Sequence, residues 1–174
     1  MKFYNLIFIC LCFAFVCSCD DDDDDEIISE PQLEAFEEIP VGSIQATFGT
    51  EEFSTSNINV TNINPDLITL NASAGTTGIG IILEDSAIAS YPIGGLNNLN
   101  SLAFNSVSED NGSINFLIFT SIEQSNASGS INILAVDLEN STISGTFEGI
   151  LVDDTNQENT LNITNGLFNQ IPFE

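Results

Sequence analysis

The sequence predicts an all-β fold, an antiparallel β-sandwich or flattened barrel of about eight strands, and three observations predict it. From Ser43 onward apolar and polar residues alternate with a period of two, in short segments rich in β-branched side chains. Clusters of Gly, Asn, Asp and Ser separate those segments. No segment from Ser43 onward sustains a helical apolar period long enough to build a helix.

Each segment has its own signature. In SIQATF, Ile44, Ala46 and Phe48 fall on one face. After a turn at Gly49-Thr50, FSTSNINV continues the alternation through Ile58 and Val60. LITLNA and GIGIIL follow, divided by a small-residue loop around Gly75 and Gly78. SINFLIFTSI is apolar on both faces, which predicts a central strand covered on both sides. SINILAVDL, TISGTFEGIL and TLNITNGLF complete the series. Asn-Gly at 111–112 and 165–166 suits tight turns. Gly-Ser-Ile-Asn occurs at 112–115 and again at 129–132, which reads as two neighbouring strands entering in the same way. Tyr91-Pro92 reads as the end of a strand near the core, and the Phe residues at 104, 116, 119, 147 and 168 read as core.

The chain divides into three parts. Residues 1–18 read as a secretory leader: one cation, Lys2, then an apolar run from Leu6 to Val16, then Ser18 before Cys19. That run is well short of the roughly 20 apolar residues that cross a bilayer. Residues 19–41 read as a flexible acidic stalk, because the like charges of Asp20 to Glu26 cannot bury themselves. One or two helical turns fit within it, with Ser29 as cap, Pro31 in the first turn, and Leu33, Phe36 and Ile39 at three-residue spacing. Pro40 and Gly42 mark the boundary, and residues 42–174 form a single β-domain.

Charge excludes whole classes of partner. The only basic residue is Lys2, there is no histidine, and all 26 Asp and Glu follow Cys19. Nucleic acid is excluded as a partner, since its binders gain affinity by neutralising phosphates with cations. Attachment to anionic headgroups through a basic patch is excluded on the same ground. The four cysteines lie at or before position 19, so the body has none for bridging. A domain of this size does not need them.

Catalysis is poorly served by this composition. A nucleophile needs a base beside it, and His and Lys are missing after the leader. Paired carboxylates could still hydrolyse a glycoside, with Glu51, Glu52, Glu84, Asp85, Glu148, Asp153 and Asp154 available. Sugar-cleaving clefts usually present aromatic rings, and after the leader the chain has no Trp and one tyrosine, Tyr91. No cofactor is expected. Calcium is the candidate cation, because it takes oxygen donors from loops. EDNGS at 109–113 and DDTNQEN at 153–159 gather such donors, with Asp153, Asp154 and Glu158 foremost. The rival reading of these acids is solvated turn residues. Asn-X-Ser/Thr triplets at Asn59, Asn71, Asn111, Asn126, Asn140 and Asn162 reflect composition.

Val16-Cys17-Ser18-Cys19 resembles the lipobox of bacterial lipoproteins, in which a small residue precedes the cysteine that receives diacylglycerol. Cys19 is then the lipidated residue, and several acyl chains on it would make a lasting anchor. With the Asp run, IQATFGTEEF, YPIG, ISGTF and ITNGLFNQI, the layout resembles a family of small uncharacterised lipoproteins from Bacteroidota. Members typically carry a lysine after the cysteine and an Asn-Gly in the first turn. This chain has no lysine there, and Phe48-Gly49-Thr50 at the turn. The resemblance implies a lipid-anchored β-domain of the outer membrane, exposed at the cell surface. It also implies that Asp20, Asp21, Asp22, Asp23, Asp24 and Asp25 act as the export signal. Asp85-Ser86-Ala87 resembles the short O-glycosylation motif of the same phylum. The expected function is non-catalytic binding or structure, with a glycan or an outer-membrane protein as partner. The alternative is a small carboxylate-pair hydrolase, glycosidase-like.

Overall fold

The computed structural model describes Phe36, residues 39–64 and residues 67–173. The leader, Cys19, Asp20 to Asp25 and most of the expected stalk helix lie outside the described residues. Eleven strands follow one another: β1 (Ser43–Phe48), β2 (Glu51–Thr55), β3 (Ile58–Asn64), β4 (Leu67–Ala74), β5 (Thr77–Leu83), β6 (Ala89–Ile93), β7 (Ser101–Asp110), β8 (Ser113–Thr120), β9 (Ser128–Asp137), β10 (Thr142–Asp153) and β11 (Thr160–Pro172). The all-β expectation holds, as a nearly closed, barrel-like antiparallel sheet ordered β2-β1-β11-β10-β8-β7-β5-β4-β3. Three strands beyond the expected series appear. FSTSNINV breaks at Ser56-Asn57 into β2 and β3, β6 is the short strand in which Tyr91-Pro92 lies, and β7 is additional.

That break is what brings the sheet round. β2 and β3 stand at opposite ends of the strand order, yet only two residues join them. Asn57 holds the corner: its amide Nδ2 donates to Ser73 Oγ at 2.7 Å, and its carbonyl accepts from Ser73 N–H at 3.0 Å. Thr55 Oγ1 donates to the Ser73 carbonyl at 2.7 Å. On the other side β10 is forked. Its residues Thr142 to Ile150 pair with β9, whereas Val152 and Asp153 pair with Thr120 and Phe119 of β8. β6 then closes the outer edge of β9, with Tyr91-Pro92 inside this short edge strand. An edge tolerates proline because its N–H side needs no ladder partner.

Alternation places the core as expected. Ile44, Ala46 and Phe48 of β1, Leu70 of β4, Ile81 of β5, Phe147 of β10 and Phe168 of β11 all belong to one buried cluster. Phe48 and Phe104 meet with ring centroids 4.5 Å apart, although their strands are separated in the sheet by β11, β10 and β8. The barrel interior is therefore filled by side chains and is not a channel. At the amino-terminal end Asn169 Nδ2 donates to the carbonyls of Phe36 and Ile39, and Ile39 is buried.

Three expectations are corrected. Strand β8 lies between β10 and β7 in the order but is not covered on both sides: from Ser113 to Ile118 every residue is exposed, and Phe116, expected in the core, is 72% exposed. The β7–β8 hairpin runs past the rim of the barrel, so apolarity on both faces does not there mean burial on both. The repeated Gly-Ser-Ile-Asn does not mark neighbours that enter alike. β8 and β9 both flank β10 without pairing with each other, and Ile114 is 64% exposed where Ile131 is fully buried. Of the two Asn-Gly pairs, 111–112 is the expected hairpin turn, both residues having the positive φ that such a turn requires (51° and 78°). Asn165-Gly166 instead forms a bulge within β11, where the pairing with β1 shifts register. Gly166 is needed there because a Cβ would lie within contact distance of the Phe147 backbone and ring.

Candidate functional site

Strands β4, β5 and β7 build a trench in the outer face of the sheet. In β4, Ile68, Leu70 and Ala72 turn inward, so Asn71 and Ser73 turn outward. Ser73 and Asn71 pair with Gly78 and Gly80 of β5, which in turn pair with Asn105 and Ala103 of β7. The two glycines thus lie on the outer face between rows of side chains: Gly80 is half-buried, and Gly78 is buried beneath the Asn105 amide. The hollow has a volume of about 560 Å³, and its walls include Asn57, Asn59, Asn71, Ser73, Asn105 and Val107.

The amides are held over these glycines. A methyl group added to Gly78 would come within 2.7 Å of Asn105 Oδ1, and one added to Gly80 within 3.5 Å of Asn71 Oδ1. Asn59 stands opposite Asn71 in the β3–β4 register. Among the described residues no charged side chain lines the trench. Its groups are amides and hydroxyls, which both donate and accept hydrogen bonds, together with apolar surface from Val107. Such a lining suits a neutral ligand that carries several hydroxyls. It offers no base and no nucleophile positioned by one.

The acids singled out from the sequence stand elsewhere. Glu51 and Glu52 are exposed on β2, and Glu148 is exposed on β10 opposite Ser130. Glu84 Oε2 accepts from Asn100 Nδ2 at 3.3 Å, while the Asn100 side-chain oxygen accepts from Glu84 N–H at 2.9 Å. Asp85 accepts from the N–H groups of Ser86 and Ala87, so Asp85-Ser86-Ala87 forms a local turn between β5 and β6. Burial raises the pKa of the nearby Tyr91 phenol, with the Asp85 charge adding to the effect.

Asp153 organises its own loop. It is 5% exposed, and its Oδ1 accepts from Thr155 Oγ1 at 2.7 Å, Thr155 N–H at 2.8 Å and Asn156 N–H at 3.2 Å. Its Oδ2 accepts from Asn159 Nδ2 at 3.4 Å. The Thr155 hydroxyl, then the Thr155 N–H, hold this carboxyl below its ordinary range, with Asn159 and Asn156 contributing. Asp154 and Glu158 are exposed. No group of three or more His, Cys, Asp and Glu gathers as a metal site among the described residues.

The trench was not read from the sequence. Its signal is the pair of glycines in GIGIIL, flanked in space by asparagines. Only strand pairing brings Asn71 and Asn105 to either side of them.

No curated protein and no solved structure matches the chain. Residues 41–172 do match a family over nearly the whole β-domain. The chain accordingly belongs to the family described as a domain of unknown function, DUF6252.

Proposed function

We propose that this is a lipid-anchored protein of the bacterial outer membrane, exposed at the cell surface, whose β-domain works by binding and not by catalysis. Its ligand is a neutral, polyhydroxylated molecule of the glycan class, taken in the trench over Gly78 and Gly80. The observation that carries this reading is the lining: amides and hydroxyls around two glycines, with no charge among the described residues. Sugar hydroxyls pair with such groups, and the apolar patch at Val107 suits the C–H face of a pyranose ring. Anchoring rests on the apolar run Leu6 to Val16, the Ser18-Cys19 step and the Asp run that follows.

The hydrolase alternative calls for two carboxylates converging on one hollow. The trench has none, and the concavities beside Glu52 and beside Glu148 hold one each. That weighs toward binding.

The test is a glycan array followed by titration calorimetry on the chain from Asp20 to Glu174. At least one neutral glycan should bind, and Asn71→Ala with Asn105→Ala should weaken it tenfold or more without moving the melting midpoint by more than a degree or two. Binding that survives both substitutions would overturn the site. For the anchor, mass spectrometry should find diacylglycerol on Cys19, and Cys19→Ser should release the protein from membranes.

A further inference from the structure

Strand β8 presents a free edge that is self-complementary, and we propose that it is an interface with a second copy of this chain. The direction of its peptide groups follows from its neighbours. Leu102 of β7 faces β8, since its N–H and carbonyl are bound by Ser121. Val107 faces the other way, its N–H donating to the Thr76 carbonyl at 2.9 Å. Because Val107 is opposite Phe116 and Ser108 opposite Asn115, Asn115 and Leu117 bond inward to β7. Ile114, Phe116 and Ile118 therefore turn their N–H and carbonyl groups to the outer edge. The Ile118 carbonyl accepts from Asp154 N–H at 3.0 Å, and pairing with β10 begins only at Phe119. Among the described residues nothing pairs with Ile114 or Phe116 on that side.

Four free peptide groups spaced this way fit a two-fold axis through Asn115. In that antiparallel register Ile114 of one copy lies opposite Phe116 of the other, and each such pair exchanges two hydrogen bonds. The side chains match as well, since opposite residues share a face and Ile114 and Phe116 form an apolar pair that the second copy extends, the place opposite Ile118 being held by Asp154. With Leu117 on the other face, the exposed apolar surface of this strand is roughly 400 Å² per copy, against about 800 Å² per partner in a standard interface.

Charge and edge chemistry select the occupant. From Ser113 to Ile122 no residue is charged, so two strongly anionic chains can meet here with least repulsion, and a basic partner finds nothing on the strand to pair with. Entry into a bilayer would lead with Glu109 and Asp110 at the hairpin tip. Two other edges are blunted in the manner of monomers: β2 carries Glu51 and Glu52, and β6 carries Pro92, whose carbonyl is taken by Asn98 Nδ2 at 2.7 Å. β8 has no proline, no charge and no bulge.

Sedimentation equilibrium of the chain from Asp20 to Glu174, from micromolar to several hundred micromolar, should show mass rising from one chain toward two. Phe116→Glu should remain a monomer throughout while melting, when dilute, at the wild-type temperature. Asn115→Cys should link to itself on mild oxidation, the segment having no other thiol, whereas Ser113→Cys should not. A wild-type monomer at all concentrations overturns the proposal, as does a dimer that survives Phe116→Glu, or cross-linking through Ser113→Cys instead of Asn115→Cys. Flotation with zwitterionic vesicles that is lost in Phe116→Glu would give the strand to a membrane and overturn it equally.

Discussion

Replacing Phe104 with alanine tests whether the two sides of the sheet are held together by an aromatic chain through the interior. Phe104 on β7 is 7% exposed, lies 4.5 Å from Phe48 and 6.3 Å from Phe119 between ring centroids, and Phe48 in turn lies 5.3 Å from Phe53. Deleting the central ring removes its transfer free energy and leaves a cavity among residues of four strands, so the cost should be about 3 to 5 kcal/mol. Set against a total stability of roughly 5 to 15 kcal/mol, that is about a fifth of the whole or more. The melting midpoint should fall by about 10 to 20 °C for a domain of this length. Phe116→Ala on the next strand is the matched control, because its ring is 72% exposed and the substitution should cost within about 0.5 kcal/mol. Urea unfolding of dilute protein, read by circular dichroism, measures both. If Phe104→Ala unfolds with the wild type, or Phe116→Ala costs as much, the assignment of interior and exterior on this hairpin is wrong.

Further outcomes follow from charge and from the loops. With no cation among the described residues, acidic groups repel one another without compensation, so the midpoint should rise as salt is added at neutral pH. Asp153 acts in the opposite sense on pH. Its carboxyl is held below the ordinary value, so its contribution is full above the unfolded-state pKa and is lost as pH falls through the lower folded one. Asp153→Asn should accordingly lower the midpoint at pH 7 and make the acid limb shallower, which a melt series from pH 7 to pH 2 would record. Calcium should move the midpoint little, since both Asp153 oxygens already accept hydrogen bonds within the loop. A clear difference between calcium and chelator would instead give Asp153, Asp154 and Glu158 a metal. Gly166→Ala should destabilise by about 1 to 3 kcal/mol, because the Phe147 carbonyl, being backbone, cannot swing away.

Most of the fold could be read from local pattern, and the exceptions share a cause. Ile44, Ala46 and Phe48 alternate and are buried together, because a strand on a curved sheet has one face inside. At β6 only a strand end is legible at Tyr91-Pro92, because proline argues against a strand unless the strand is an edge. β7 was hidden by its acidic end, Glu109-Asp110, which looks like a turn and is the tip of a hairpin that outruns the barrel. The same overrun exposes β8, whose composition alone suggests a centre. Asn165-Gly166 is chemically a turn pair and becomes a bulge because β11 continues between β1 and β10. In each case the deciding fact was which strand lay alongside. The trench depends on that fact entirely, since asparagines 34 positions apart, Asn71 and Asn105, face each other only across Gly78 and Gly80.

The pairing of β1 with β11, Ser43 against Asn169, has a bearing on how the molecule is made. β1, the earliest of the described strands to be synthesised, has only β2 beside it until β11 has been made. A polypeptide so arranged cannot complete its sheet while β11 is still being synthesised. Losing β11 would strip β1 of its companion too, so a truncation there would be felt at both ends of the domain.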